Sequence, residues 1–324
     1  MTQGITSPAY LITLSLETQG VHMFDNLDDT RPTIPVLVDG DIVAYKCAAA
    51  ADGRCWSWSR EGSKVKIQEK YKKDATEKCV SLGVSPAFLT ETFNPDPVEF
   101  AIHSVKLSME RIREDVEAEF PGYKADLKVY LTGKTNFRNL INPSYKSNRD
   151  GMRRPHHLSA CKEYLTGKYG AVTEEGYEAD DLIGIEAELC LEYGSSCACA
   201  VVATIDKDLQ MIPACHYHLD KQAFTYVDSD QADCIFYKQV LTGDVTDGII
   251  SLKGVGPKTA EKQMSLVGEL YESRYEAALA LFFKYTPRLE GELVEDYVDR
   301  VECIFYNVAQ LIWIRRSRDE GWSV

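Results

Sequence analysis

The run Ile34-Pro-Val-Leu-Val-Asp39 is apolar up to its last residue, which is a carboxylate. It is too short for a helix and rich in valine, which predicts a buried strand. Two further runs have this form, Asp126-Leu-Lys-Val-Tyr-Leu131 and Cys199-Ala-Val-Val-Ala203, the second with Asp206 just beyond it. Helical patterns lie between them. Residues 42–51 are alanine-rich. From Pro97 to Phe120, Val98, Ile102, Val105, Met109, Ile112 and Val116 recur at helical steps, and Pro121-Gly122 stops the pattern. A helix with Leu158, Cys161, Tyr164 and Leu165 follows, and another spans 178–192. Strand alternating with helix predicts an α/β fold with a mostly parallel central sheet flanked by helices. After about residue 240 the chain reads as helical to its end.

This organisation predicts a leader over 1–33, an α/β domain over 34–240 and a helical region over 241–324. The 324 residues agree with about two domains, or one large one. Hydrophobic residues make up 44% and charged residues 27%, which excludes disordered, collagenous and fibrous chains. No apolar run approaches the roughly 20 residues of a membrane span, and no basic segment precedes Tyr10–Leu16, so neither a membrane anchor nor a signal peptide is expected. The ten cysteines are scattered. The nearest pair, Cys197 and Cys199, does not have zinc spacing, and reduced thiols in a cytoplasmic protein are the expectation.

An insert is expected over about 52–95. Cys55-Trp-Ser-Trp-Ser59 and Lys64-Val-Lys-Ile67 alternate around a glycine-containing turn, which predicts a hairpin. The two tryptophans read first as a small satellite core, with base stacking as the alternative. The lysine-rich stretch 66–78 reads as a solvated helix face.

The net charge of −14, from 50 acidic and 36 basic residues, argues against a nucleic-acid binder if taken as an average. The distribution is uneven. Lys134, Arg138, Lys146, Arg149, Arg153 and Arg154 share a segment with one acid, Asp150. The acids gather in Glu178-Ala-Asp180-Asp181 at a helix start, in Asp206-Lys-Asp208 past a strand, in Asp244-Val-Thr-Asp247, and in Asp39 with Asp41. Each group alone reads as a dipole complement, a turn or a cap. Together they fall at strand ends and helix starts, which in open α/β sheets converge on one edge. Such carboxylates repel one another, and a divalent cation removes the penalty; hard oxygen donors suit Mg²⁺ or Mn²⁺. Two such ions are a known device for displacement at phosphate.

Two further stretches suit phosphate. Gly254-Val-Gly256-Pro-Lys258-Thr259 places a Gly-x-Gly turn before a helix, where backbone N–H groups and Lys258 can cradle an anion. Lys146 and Arg149 are three apart, hence on one face if their segment is helical.

These stretches, in this order, resemble the structure-specific 5′ nucleases (flap endonucleases), and most of all the 5′–3′ exonucleases of bacteriophages. The matching runs are Val36–Asp41, Pro143–Arg149, Glu178–Leu182, Ile205–Leu209, Gly243–Gly248 and Gly254–Lys258, spanning about 34–265. The resemblance implies a PIN-like 5′-nuclease fold. Glu178 and Asp180 would hold a first metal and Asp206 and Asp208 a second. Asp247, with Asp244 and Asp181, would complete the second site or its outer shell, and Asp39 would act through bound water. Lys146 and Arg149 would contact the scissile phosphate. A basic helical arch over about 134–157 would bring Lys134, Arg138, Tyr145, Arg153 and Arg154 to DNA. Gly254, Gly256, Lys258 and Thr259 would form a helix–hairpin–helix with a possible K⁺ site. Gly133 stands where many members carry another acid, so the first metal would be held more loosely, or with help from Asp41.

The implied activity is metal-dependent 5′–3′ exonuclease action on duplex DNA by a two-metal mechanism. Flap cleavage and hydrolysis of RNA in RNA–DNA hybrids are further expectations, with a role in phage DNA replication or host DNA degradation. The alternatives are a non-catalytic DNA-end binding protein, which Gly133 favours, and a PIN-type ribonuclease, which the Gly254–Lys258 turn disfavours.

Overall fold

A computed structural model describes residues 31–193, 200–318 and 321–323. The leader read over 1–33 lies almost wholly outside them, as do Cys197 and Cys199. From Pro32 onward the chain forms one compact unit.

In chain order the elements are β1 (Thr33–Asp39), α1 (Gly40–Ala50), β2 (Arg54–Trp58), β3 (Ile67–Glu69), α2 (Lys72–Ser81), β4 (Leu89–Phe93), α3 (Val98–Glu119) and β5 (Lys124–Asn136). They continue with α4 (Arg138–Ile141), α5 (Leu158–Tyr169), β6 (Val172–Gly176), α6 (Ala179–Tyr193), β7 (Val201–Thr204), β8 (Ala214–His218) and β9 (Ala223–Val227). Four helices follow: α7 (Ser229–Thr242), α8 (Pro257–Met264), α9 (Arg274–Tyr285) and α10 (Val294–Ile312).

The main sheet has the order β6-β5-β1-β7-β8-β9, parallel except for β9 at one edge. The expected mostly parallel sheet is therefore present, with three strands beyond the three read from the sequence. β1 lies at its centre. Val36, Leu37 and Val38 are fully buried because both faces are covered. One face packs on α1, α3 and α5 through Val43, Val105, Met109, Ile112 and Leu165. The other packs on α6 and the C-terminal helices through Leu182, Ile183, Phe236, Phe282 and Phe305. Such aliphatic and aromatic side chains contribute roughly 1.5–3 kcal/mol each when fully buried.

The chain runs left from β1 to β5 and β6, then returns to the right at β7. The β1–β7 boundary is thus the switch point, outside whose carboxyl end open α/β sheets form their sites. Gly40 makes the exit from β1 possible. A Cβ there would lie 2.7 Å from the Tyr130 carbonyl oxygen, so α1 can start against β5 only without a side chain.

The insert forms its own sheet, β3-β2-β4, rather than a lone hairpin. Trp58, Ile67, Ala75 and Cys79 make the satellite core that the sequence suggests, and the Trp58 indole N–H donates to the Ser85 carbonyl. Residues 134–157 are not a continuous helical arch. They form the end of β5, the single turn of α4, a 3₁₀ turn over Ser147–Arg149 and extended chain. The glycine turn at 254–256 leads directly into α8, but loop 243–252 separates it from α7, so no helix adjoins it on its N-terminal side. Among the described residues, no helix is long and apolar enough to cross a membrane.

Candidate metal centre

β1 ends on Asp39, which caps α1 by accepting the Ile42 N–H at 3.1 Å. Its other oxygen accepts the Thr204 hydroxyl at 2.9 Å, bridging the β1–β7 switch point. Glu178 stands two residues past β6, and Asp180 in the first turn of α6. Asp206 lies two residues past β7; it accepts the Asp208 N–H at 2.9 Å, which holds the two acids in one turn. Asp244 accepts the N–H groups of Thr246 and Asp247 at 2.7 and 3.3 Å, so the loop after α7 presents Asp247.

These local devices meet in one cavity of about 250 Å³. It is lined by Asp39, Asp41, Glu178, Asp180, Asp206, Asp208, Asp244 and Asp247, with Lys146, Arg149 and Lys207 as its cations and Thr132 and Thr246 as neutral donors. Seven of the eight acids singled out as metal ligands are thus brought together. Asp41 joins them, tied by the Thr132 N–H at 3.0 Å and by Lys162 Nζ at 2.5 Å.

The eighth, Asp181, is a correction. It points away from the cavity, is fully buried, and takes a bidentate contact from Arg138 at 2.7 and 2.9 Å. Its oxygens also accept the N–H groups of Glu178 and Arg315 at 3.1 and 3.2 Å. With its acceptor sites filled, it serves as a structural counter-ion.

Arg138 is corrected with it. It was expected at DNA, but only 3% of its surface is exposed, and its remaining N–H groups go to Glu178 at 3.3 Å and to the Leu311 and Trp313 carbonyls at the end of α10. Those carbonyls lack helical partners, so the guanidinium satisfies a helix C-terminus and a buried acid at once. Tyr145 is also buried; its hydroxyl faces Glu178 at 2.9 Å and Asp247 at 3.1 Å, leaving no ring face for a base. Arg153 pairs with Asp52 and lies over Phe93. Lys134, Arg154 and Lys258 are exposed, Gly254 and Gly256 sit at the turn before α8, and Thr259 lies in its first turn.

Lys146 and Arg149 face the cavity, although one continuous helix does not place them there. Lys146 sits in the left-handed region with φ 58°, and its N–H donates to the Asp247 carbonyl at 2.9 Å. That conformation costs roughly 1–3 kcal/mol for a non-glycine residue and persists because the surroundings impose it. The Asn148 side chain donates to the Val245 and Thr246 carbonyls at 3.1 and 3.0 Å, which fastens the strap to the Asp244–Asp247 loop. Lys146 Nζ reaches Glu178 at 2.5 Å and Asp247 at 3.4 Å, and Arg149 pairs with Asp247.

The electrostatics divide the site in two. Burial opposes ionisation of Glu178, but Lys146 and Arg138 outweigh it and hold this acid below the usual carboxylate range. Across the cavity the acids lack such partners. Burial, then the charges of Asp41 and Asp206, push Asp39 up to about 7 against the Ile42 and Thr204 hydrogen bonds. Asp180 is raised well above its ordinary value by burial and by Asp39, Glu178 and Asp206. Asp208 rises to about 6 through burial and Asp206.

Among the described residues, no group of three side chains is already gathered into a metal cage. The donor set nevertheless fits hard divalent cations, since every ligand is a carboxylate oxygen and acids outnumber cations in the lining. Gly133 cannot supply the further acid. A Cβ there would lie 2.3 Å from the Glu174 carbonyl oxygen, so β6 excludes any side chain.

Gln239 is a residue that sequence reading missed. Its amide donates to Asp208 at 3.2 Å and to Asp244 at 3.3 Å, bridging the turn after β7 to the loop after α7. A glutamine inside a helix carries no sequence signal for that role. Thr204, one strand away from Asp39, was missed for the same reason.

The raised acids predict a stability profile. A carboxyl whose folded value is raised binds its proton more tightly in the folded state. Its stabilisation is complete below about pH 4 and is lost as pH climbs towards 7. In EDTA the thermal midpoint should therefore fall by several degrees between pH 5 and 8, and millimolar Mg²⁺ should restore it at pH 8. A flat or rising midpoint in EDTA over that range would contradict the assignment.

The sheet edge and its cavity define an α/β protein with an acid-rich centre beside a cationic strap. Comparison with known proteins makes this more particular. The exodeoxyribonuclease of Enterobacteria phage T3 is 29% identical over 141 residues, 42% of this chain and 46% of that protein. The DNA polymerase I of Rhizobium leguminosarum is 27% identical over 155 residues, 41% of this chain and 14% of that protein. A solved complex of the bacteriophage T5 flap endonuclease with DNA and metal ions covers 86% of this chain and 88% of its own, with 12% identity and a TM-score of 0.47. No family model matches. In sequence the chain is thus similar to a phage exodeoxyribonuclease and to a part of DNA polymerase I, and it spans about half the length of that phage relative.

Proposed function

We propose that this chain is a divalent-metal-dependent 5′–3′ exodeoxyribonuclease acting on duplex DNA, with 5′-flap cleavage and RNase H-type hydrolysis as further activities. One observation carries the reading: carboxylates from three strand ends and a distant loop line one cavity, and Lys146 and Arg149 hang over it. The similarity to the phage T3 exodeoxyribonuclease supports the choice of reaction.

Two Mg²⁺ or Mn²⁺ ions, when bound, would neutralise the acids, lower the pKa of a water and stabilise the charge of the leaving 3′ oxygen. Glu178 and Asp180 would hold one, and Asp206 and Asp208 the other, with Asp247 and Asp244 beside it. Asp39, held by the Ile42 N–H and the Thr204 hydroxyl, would act through bound water. Lys146 and Arg149 neutralise Glu178 and Asp247, and a substrate phosphate competes for the same cations. Arg149 can offer it two N–H groups, Lys146 a point charge. Lys134, Arg154 and the Gly254–Thr259 turn with Lys258 would grip the duplex backbone, so affinity should fall as salt rises. Such a protein would serve phage DNA replication or host DNA breakdown.

A DNA-end binding protein without cleavage is the second reading, favoured by the steric exclusion of an acid at Gly133. One assay separates the two: a 5′-labelled duplex is incubated with Mg²⁺ or EDTA, using wild type and Asp206→Ala. Label released by the wild type alone, and with Mg²⁺ alone, is the expected result. Intact duplex retained tightly by both proteins would favour end binding, and cleavage confined to RNA strands would indicate a ribonuclease.

A further inference from the structure

The insert sheet β3-β2-β4 is not used by the proposed reaction, and its charge runs against the rest of the chain. The insert over 52–95 carries eight cations, Arg54, Arg60, Lys64, Lys66, Lys70, Lys72, Lys73 and Lys78, against six acids, Asp52, Glu61, Glu69, Asp74, Glu77 and Glu91, within a protein of net charge −14. The strand register places Arg54, Trp56 and Trp58 on one face with their cross-strand partners Phe93, Glu91 and Leu89. At one end of that face, α2 covers Trp58 and Ile67 to form the satellite core, and the half-buried Trp56 packs against its margin. At the other end, cations and rings interleave. Arg153 lies 3.4 Å over the Phe93 ring, Arg54 lies 5.8 Å from the Trp56 ring, and Lys72 lies 4.8 Å from it. Tyr71, next in the chain to Lys72, is 60% exposed. Acids are present too: Glu69 and Glu91 stand opposite Trp56 on its two neighbouring strands and pair with Lys78 and Arg54, and Arg153 pairs with Asp52.

This stripe is joined to the metal centre at both ends of α1. Asp39 and Asp41 stand at its start. The helix then carries the chain eleven residues, about 16 Å at 1.5 Å per residue, to the root of the insert at Asp52. Arg153 and the His156 N–H bind Asp52 from the strap that also carries Lys146 and Arg149.

We propose that the Arg153–Phe93–Arg54–Trp56–Lys72 face of the insert binds the single-stranded 5′ segment of a substrate as it leaves the duplex at the metal centre. Aromatic rings interleaved with cations are the recurring design of sequence-tolerant single-strand sites, because every base has a face to stack and every nucleotide a phosphate. A polyanion is the occupant that complements a positive patch on an acidic protein. The inference rests on the nuclease reading for its substrate and deepens it.

The test uses the full chain in EDTA, with two fluorescent probes: a nicked duplex, and the same duplex carrying a ten-thymidine 5′ flap. Wild type should bind the flap probe about tenfold more tightly, in line with one or two stacked bases. Trp56→Ala should remove that increment and leave the nicked duplex unchanged. Lys72→Glu, at an exposed position that spares the satellite core, should also remove most of it. Free decathymidine should quench tryptophan fluorescence in wild type and not in Trp56→Ala. Equal affinity of wild type for the two probes, or a flap increment that survives both substitutions, overturns the proposal. Failure of the nuclease reading would appear separately, as wild type that leaves labelled duplex intact in Mg²⁺ whatever the flap result.

Discussion

Asp180→Asn should lower Mg²⁺-dependent release of a 5′ label by about a thousandfold at pH 8, while making the metal-free protein more stable. The two effects share one cause. Asp180 stands among Asp39, Glu178 and Asp206, and burial and those charges raise its carboxyl well above the ordinary value. An amide of the same shape removes the repulsion, so folding without metal is easier. The amide is also a poor ligand for a hard cation, and losing several kcal/mol of charge stabilisation at a phosphoryl centre corresponds to a factor of this size. The gain in thermal midpoint in EDTA should be largest at pH 8 and vanish well below pH 4, where the carboxyl is protonated in both folded and unfolded chains. Activity within tenfold of wild type would remove Asp180 from the metal centre. Loss of activity together with loss of stability would mean that its charge is balanced by a group outside this account.

Arg138→Ala should destabilise the protein by about 3–5 kcal/mol, roughly 10 °C in thermal midpoint, because it leaves the Asp181 carboxyl buried without its counter-charge. It also strips partners from the Leu311 and Trp313 carbonyls. The double variant Arg138→Met with Asp181→Leu should recover much of the loss, since apolar residues replace a buried pair at little cost when both charges go together. A surface DNA contact would behave differently: Arg138→Ala would keep its thermal midpoint, weaken DNA binding and flatten its salt dependence. Measuring the midpoint and a salt titration on the same variant therefore decides between the buried tie and the DNA contact.

The buried strands β1 and β7 are legible in the sequence because both faces are covered and their residues are nearly all apolar, and β5 is legible through the apolar run Val129–Leu131 at its buried middle. β6, Val-Thr-Glu-Glu-Gly, and β9, Ala-Phe-Thr-Tyr-Val, lie at the two edges of the sheet and carry polar residues. β8, Ala-Cys-His-Tyr-His, carries two histidines, yet four of its five residues are buried, because the sheet and its covering layers enclose it. No local pattern announces those three. The same contrast holds for the site. Asp39, Asp206 and Glu178 show in the sequence because each follows an apolar run or opens a helix. Gln239 shows nothing, since its partners Asp208 and Asp244 are brought to it by the packing of α7 against the turn after β7.

By itself the sequence determined that strands end in acids and that a basic segment lies between two of them, because apolar runs, turns and helix starts are properties of near neighbours in the chain. Only the tertiary structure decided which charges meet. Arg138 and Asp181 are 43 residues apart, Lys146 and Asp247 101, and both pairs belong to segments rich in like residues. A buried acid takes the cation that reaches it with the best geometry and the least water, and that choice depends on the packed interior. Hence one arginine of the basic segment became an internal tie between α6 and the end of α10, while its neighbours Lys146 and Arg149 were left facing the cavity.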